Sequence, residues 1–99
     1  MPNNERIYQI RRAILNVLKD YTPAPADLDD IQCHPAISAL NASASEILAE
    51  MNALTTCAYI TDIHGFNGRM KTINERGLKQ INQEGEREIF IWGKYGRKE

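Results

Sequence analysis

Ninety-nine residues, 42% apolar and 25% charged, suit one small folded domain, and nothing in them suggests two. That composition excludes global disorder, and no apolar run reaches the length that spans a bilayer. The net charge of −1 hides an uneven distribution. Residues 1–19 carry four basic side chains against one acidic, residues 20–68 seven acidic and no basic, and residues 69–99 eight basic against five acidic. An acidic middle thus lies between two basic ends, which bears on what can bind where. The start, Met1-Pro2-Asn3-Asn4-Glu5-Arg6, lacks a signal-peptide pattern, so a cytoplasmic location is expected, with Cys33 and Cys57 reduced. Cys33 adjoins His34 without the spacing of zinc ligands, and His64 is the other histidine, so neither metal nor cofactor is expected.

Ile7, Ile10, Ile14, Val17, Leu18 and Tyr21 recur at helical spacing and predict a first helix from Asn4 to Lys19, with Arg11, Arg12, Asn16 and Lys19 off the stripe and solvated. Thr22-Pro23-Ala24-Pro25 ends it. Asp27 is the expected cap of a short second helix carrying Leu28, Ile31 and Gln32, and Pro35 to Leu40 is expected as a separate helical turn. Ser43 and Glu46 have capping-box spacing at the start of a third helix that ends near Thr56. Its buried side is expected to hold Ile47, Leu48, Met51, Leu54 and Ala58. Residues 58–63 alternate as a strand, His64-Gly65-Phe66-Asn67-Gly68 forms a turn, and Arg69-Met70-Lys71-Thr72-Ile73 returns. Asn74 caps a last helix through Ile81 that ends near Gly85. Ile89-Phe90-Ile91-Trp92 favours a strand, and residues 93–99 are expected to be a flexible basic tail on a single domain of residues 4–92.

The segment Ile47-Leu48-Ala49-Glu50-Met51-Asn52-Ala53-Leu54-Thr55-Thr56-Cys57-Ala58-Tyr59-Ile60 is similar to the recognition helix and strand start of winged helix-turn-helix domains of the MarR and PadR repressor type. Leu54 and Tyr59-Ile60 fill their usual places, and Ala58 stands where a glycine is usual. Ile73-Asn74-Glu75-Arg76-Gly77-Leu78 resembles the Leu-Thr-x-x-Gly segment after the wing, with Asn74 in place of the threonine. The resemblance implies an α+β fold: a small winged helix-turn-helix with a three-helix core, a two- or three-stranded wing sheet and a helix after the wing.

It also implies a small DNA-binding transcriptional regulator with double-stranded DNA as partner. Ser45, Glu46, Ala49, Glu50, Asn52, Ala53 and Thr56 are then expected to face the bases. Asn52 suits adenine, and Ser45 or Thr56 can donate to a base or phosphate. Arg69 and Lys71 in the wing and Arg11 and Arg12 on the first helix are the candidate phosphate contacts. The third helix carries two carboxylates and no cation, which opposes DNA; helix stabilisation at the positive N-terminal end is the other reading of Glu46 and Glu50. The alternative is a winged-helix protein-interaction module presenting an acidic recognition-helix surface to a protein partner. Ile89, Phe90, Ile91 and Trp92 are the candidate interface of a homodimer, or else close the core. No enzyme is expected, because the cysteines, histidines and carboxylates form no acid–base or nucleophile pattern.

Overall fold

A computed structural model of the chain describes residues 4–63, 65 and 70–81. Its first helix, α1 (Asn4–Tyr21), is followed by α2 (Leu28–Cys33), α3 (Pro35–Ser38), α4 (Ala44–Thr56), β1 (Ile60–Asp62), β2 (Lys71–Ile73) and α5 (Glu75–Ile81). Among the described residues the chain is therefore α+β, with five helices and one two-stranded antiparallel sheet. The expected strand at 89–92, the tail at 93–99 and the helix end near Gly85 lie outside them.

α1 is the hub: α2, α3, α4, α5 and β2 all pack against it. That arrangement explains why its buried arc is wider than one stripe. Ile10, Ile14, Val17 and Leu18 are buried as their spacing predicts, but so are Ala13 and Leu15. Arg11, expected in solvent, is 5% exposed, and Arg12 and Asn16 are half-buried; of the four off-stripe residues only Lys19 is exposed. A helix enclosed on several sides has little face left for water.

Local chemistry sets the helix ends. α1 stops at Tyr21, and the Thr22 hydroxyl and amide both return to the Leu18 carbonyl, at 2.9 and 3.0 Å. Pro23, joined to Thr22 by a cis peptide, has no N–H with which to continue. Asp27 and Asp30 form a capping box on α2. His34 closes α2 and opens α3, where its Nδ1 accepts the Ala36 N–H at 3.1 Å and Pro35 takes the first helical position. Ser43 and Glu46 form the expected capping box on α4. Asn74 caps α5, its Oδ1 accepting the Gly77 N–H at 3.0 Å.

The strands pair Ile60 with Ile73, Thr61 with Thr72 and Asp62 with Lys71. A bridge on the other edge of β2 was not legible in the sequence. Ala26 exchanges two 2.9 Å backbone hydrogen bonds with Lys71, so the proline-rich connection lies along the free edge of β2. The core is contributed by nearly every element: Ile10, Ile14 and Leu18 from α1, Ile31 and Ile37 from α2 and α3, Ile47, Met51 and Leu54 from α4, and Ile60, Ile73 and Ile81 beyond.

α4 leaves its last turn through a Schellman motif. The Tyr59 N–H reaches the Leu54 carbonyl (2.9 Å) and the Ala58 N–H the Thr55 carbonyl (3.0 Å). Ala58 occupies the left-handed position of that motif at φ +66° and is exposed, not on the buried side of the helix as its spacing suggested. A β-carbon in this region costs about 1–2 kcal/mol, partly offset by the greater freedom glycine has in the unfolded chain. Ala58→Gly is therefore expected to stabilise the protein by about 0.5–1 kcal/mol and to raise the thermal midpoint by a few degrees. A midpoint that fell would show that the left-handed turn costs this alanine nothing.

Candidate functional site

The outward side of α4 is the surface on which the sequence-level expectations converge. Ser45, Leu48, Ala49, Asn52 and Thr56 are all exposed, at spacings that place them on one face. Leu48 is 47% exposed, the one large apolar side chain in solvent among the described residues, which corrects its expected place in the core. Ala53, expected outward, is 4% exposed and packed inward. Both corrections amount to a modest rotation of the helix about its own axis.

That rotation also settles where the carboxylates point. Glu46 meets Arg6 as a bidentate pair, Nε to Oε2 at 2.8 Å and Nη2 to Oε1 at 2.9 Å. Arg6 also donates from Nη1 to the Leu40 carbonyl at 3.1 Å, clamping the connection that leads into α4. One turn further along, Glu50 Oε1 accepts from Arg11 Nε at 2.7 Å in a largely enclosed site. Two arginines of α1 thus hold both acids on the flank of α4 that faces α1, leaving the exposed face without formal charge.

The Arg6 guanidinium, together with the Ser43 backbone N–H, lowers the Glu46 carboxyl from its ordinary 4.5 to about 2. A carboxyl depressed in the folded state contributes stability that is present above its unfolded pKa and is lost as pH falls through its folded pKa. The contribution of Glu46 should accordingly disappear between about pH 4.5 and pH 2. Urea midpoints measured across that window should fall less steeply for Glu46→Gln than for the parent; parallel curves would exclude the coupling.

The remaining candidate residues separate clearly. Asn52 presents its amide to solvent with no partner among the described residues. The Thr56 hydroxyl donates to the Asn52 carbonyl at 2.9 Å and keeps its acceptor capacity outward. Ser45 Oγ lies 3.2 Å from Ser43 Oγ. Lys71 is not presented to solvent as expected: it is 6% exposed and ion-paired with Asp62 across the sheet. Period two explains this, since Lys71 shares the inward face of β2 with Ile73. Arg11 is likewise committed to Glu50. Arg69 and the candidate interface Ile89, Phe90, Ile91 and Trp92 lie outside the described residues.

Two features escaped the sequence reading. Arg6 has no signal beyond lying five residues before Arg11 on α1, as Glu46 lies four before Glu50 on α4. The burial of Lys71 was available from strand parity with Ile73. Cys33 is exposed and Cys57 buried, both as free thiols, and no three His, Cys, Asp or Glu side chains converge among the described residues. No helix among them is long and apolar enough to cross a membrane. Comparison of the chain with protein-family models, with curated proteins and with solved structures gives no match.

Proposed function

We propose that the chain is a small winged-helix DNA-binding protein of regulatory type, with α4 as the helix that enters the major groove. The observation that carries this reading is the uncharged, hydrogen-bonding outer face of α4. Two carboxylates on a recognition helix would repel phosphates, but here both are held against α1 by arginines and the outward residues are Ser45, Leu48, Ala49, Asn52 and Thr56. The order of elements from α2 to α5 is compatible with a winged helix. Support also comes from Ala58, which adopts the left-handed conformation a glycine would favour at the position where the MarR and PadR type has one.

Arg11 and Lys71 are buried and ion-paired with Glu50 and Asp62, so in this reading the phosphate contacts fall to the other two basic candidates, Arg12 and Arg69. Binding to random-sequence duplex DNA tests it. With two such contacts, affinity should fall about tenfold between about 50 and about 200 mM salt, and Arg69→Ala should reduce the salt slope by about one. Absence of binding at the lowest salt would end the DNA reading.

The exposure of Leu48 supports a second reading, in which the same face docks on a protein. Leu48→Lys separates the two. An added cation tightens DNA binding at low salt, whereas an apolar protein contact centred on Leu48 is lost.

A further inference from the structure

We infer that α4 is built to read A·T base pairs in the major groove, an inference that rests on the DNA-binding reading above. Each base pair offers a distinct pattern of donors, acceptors and methyl groups there. Guanine is read chiefly by bidentate arginine or by lysine, and cytosine by a carboxylate accepting from its amino group. Residues 44–56 contain neither Arg nor Lys. Two arginines that the fold brings to α4, Arg6 and Arg11, are turned onto Glu46 and Glu50. The same two pairs occupy the carboxylates that would recognise cytosine. On α4 itself the means of reading G·C are thus absent or committed.

What remains on the outer face suits the other pair. The Asn52 amide, exposed and without a partner among the described residues, has the donor–acceptor geometry that matches adenine N6 and N7. Leu48 and Ala49, one turn earlier, offer apolar contact to the thymine C5 methyl. Four residues of helix advance about 6 Å, so Leu48 and Asn52 reach base pairs about two steps apart. Ser45 and Thr56 accept or donate to any base and add no preference. Leu48 therefore has a reason to be in solvent: it is the methyl-sensing side chain of a helix that lacks charge.

The experiment measures binding at one low salt concentration to three duplexes of equal length whose central pairs are A·T, G·C or inosine·cytosine. Inosine·cytosine resembles A·T in the minor groove and G·C in the major groove. The expected order is A·T about tenfold tighter than G·C, with inosine·cytosine bound as weakly as G·C. Replacing thymine by uracil should cost several-fold in the parent protein and clearly less in Leu48→Ala, where only the small Ala49 contact remains; an equal cost in both proteins removes Leu48 from the methyl. Asn52→Ala should flatten the A·T preference without changing the salt slope. Both substitutions lie on exposed positions and leave the fold intact. Equal affinity for A·T and G·C duplexes overturns the inference while leaving DNA binding in place. Inosine·cytosine bound as tightly as A·T overturns it as well, because the preference then arises in the minor groove. A protein that binds none of the three overturns both readings together.

Discussion

Gly77→Ala should lower the thermal midpoint by on the order of 15 °C, although helix propensity taken alone favours the alanine by about 1 kcal/mol. Gly77 lies in the first turn of α5, where the helix comes back against the segment between α4 and β1. A β-carbon there would overlap the Tyr59 carbonyl oxygen and approach Ile73 Cγ1 to 2.7 Å and Cδ1 to 3.3 Å. The isoleucine can adjust its rotamer. The carbonyl cannot, because it belongs to the backbone that accepts the Asn74 N–H and leads into β1. Relief requires α5 to move away, and with it the cap from Asn74, whose Nδ2 donates to the Ala58 carbonyl at 2.7 Å and to Thr61 Oγ1 at 3.1 Å. We expect a loss of about 3 kcal/mol, a large share of what a domain of this size has to spare. Thermal or urea unfolding reads it directly. A variant as stable as the parent would mean that α5 does not sit against Tyr59.

Removing the Arg11 side chain should cost a similar amount. The Arg11–Glu50 pair is largely withdrawn from water, with side-chain exposures of 6% and 15%. Arg11→Ala leaves the Glu50 carboxylate facing α1 without its cation, a situation that costs about 3–5 kcal/mol when a buried pair loses one partner. Replacing both residues by apolar ones of similar size, Arg11→Met with Glu50→Leu, should recover most of the loss, since no uncompensated charge remains. A double-mutant cycle quantifies the coupling, and a single-variant effect within about 0.5 kcal/mol of the parent would reduce the pair to a surface contact. The double variant also bears on function. If Arg11 is a scaffold charge, its DNA-binding salt slope matches the parent's; a slope reduced by about one would return Arg11 to the phosphate backbone.

The two ion pairs between α1 and α4 change how the charge pattern of the chain should be understood. Along the sequence the acidic middle opposes an anionic partner. In three dimensions Glu46 and Glu50 are neutralised by Arg6 and Arg11 of the basic first segment, and Asp62 by Lys71 of the basic last one. The charge asymmetry that is so plain along the chain is in part a record of which segments pack together.

Features that depend on a few neighbouring residues are legible along the chain. The Asp27, Ser43 and Asn74 caps, the stop before Pro23 and the turn of helix at Pro35 all follow from groups within four positions of one another, and the two strands from alternation on either side of a turn. The exposed stripe of Ser45, Ala49, Asn52 and Thr56 is legible too, because a helix repeats its faces at fixed spacing. Which charges stay in solvent depends instead on packing between elements far apart along the chain. The burial of Arg11 follows from how many elements surround α1, and that of Lys71 from the face of β2 that meets the core. The rotation that exposes Leu48 and buries Ala53 is set by the packing of α4 against α1 and α2. Periodicity locates a helical face to within roughly a residue on either side, and the partner helix fixes the remainder. For this protein that remainder moved two carboxylates off the candidate reading face and put a leucine on it.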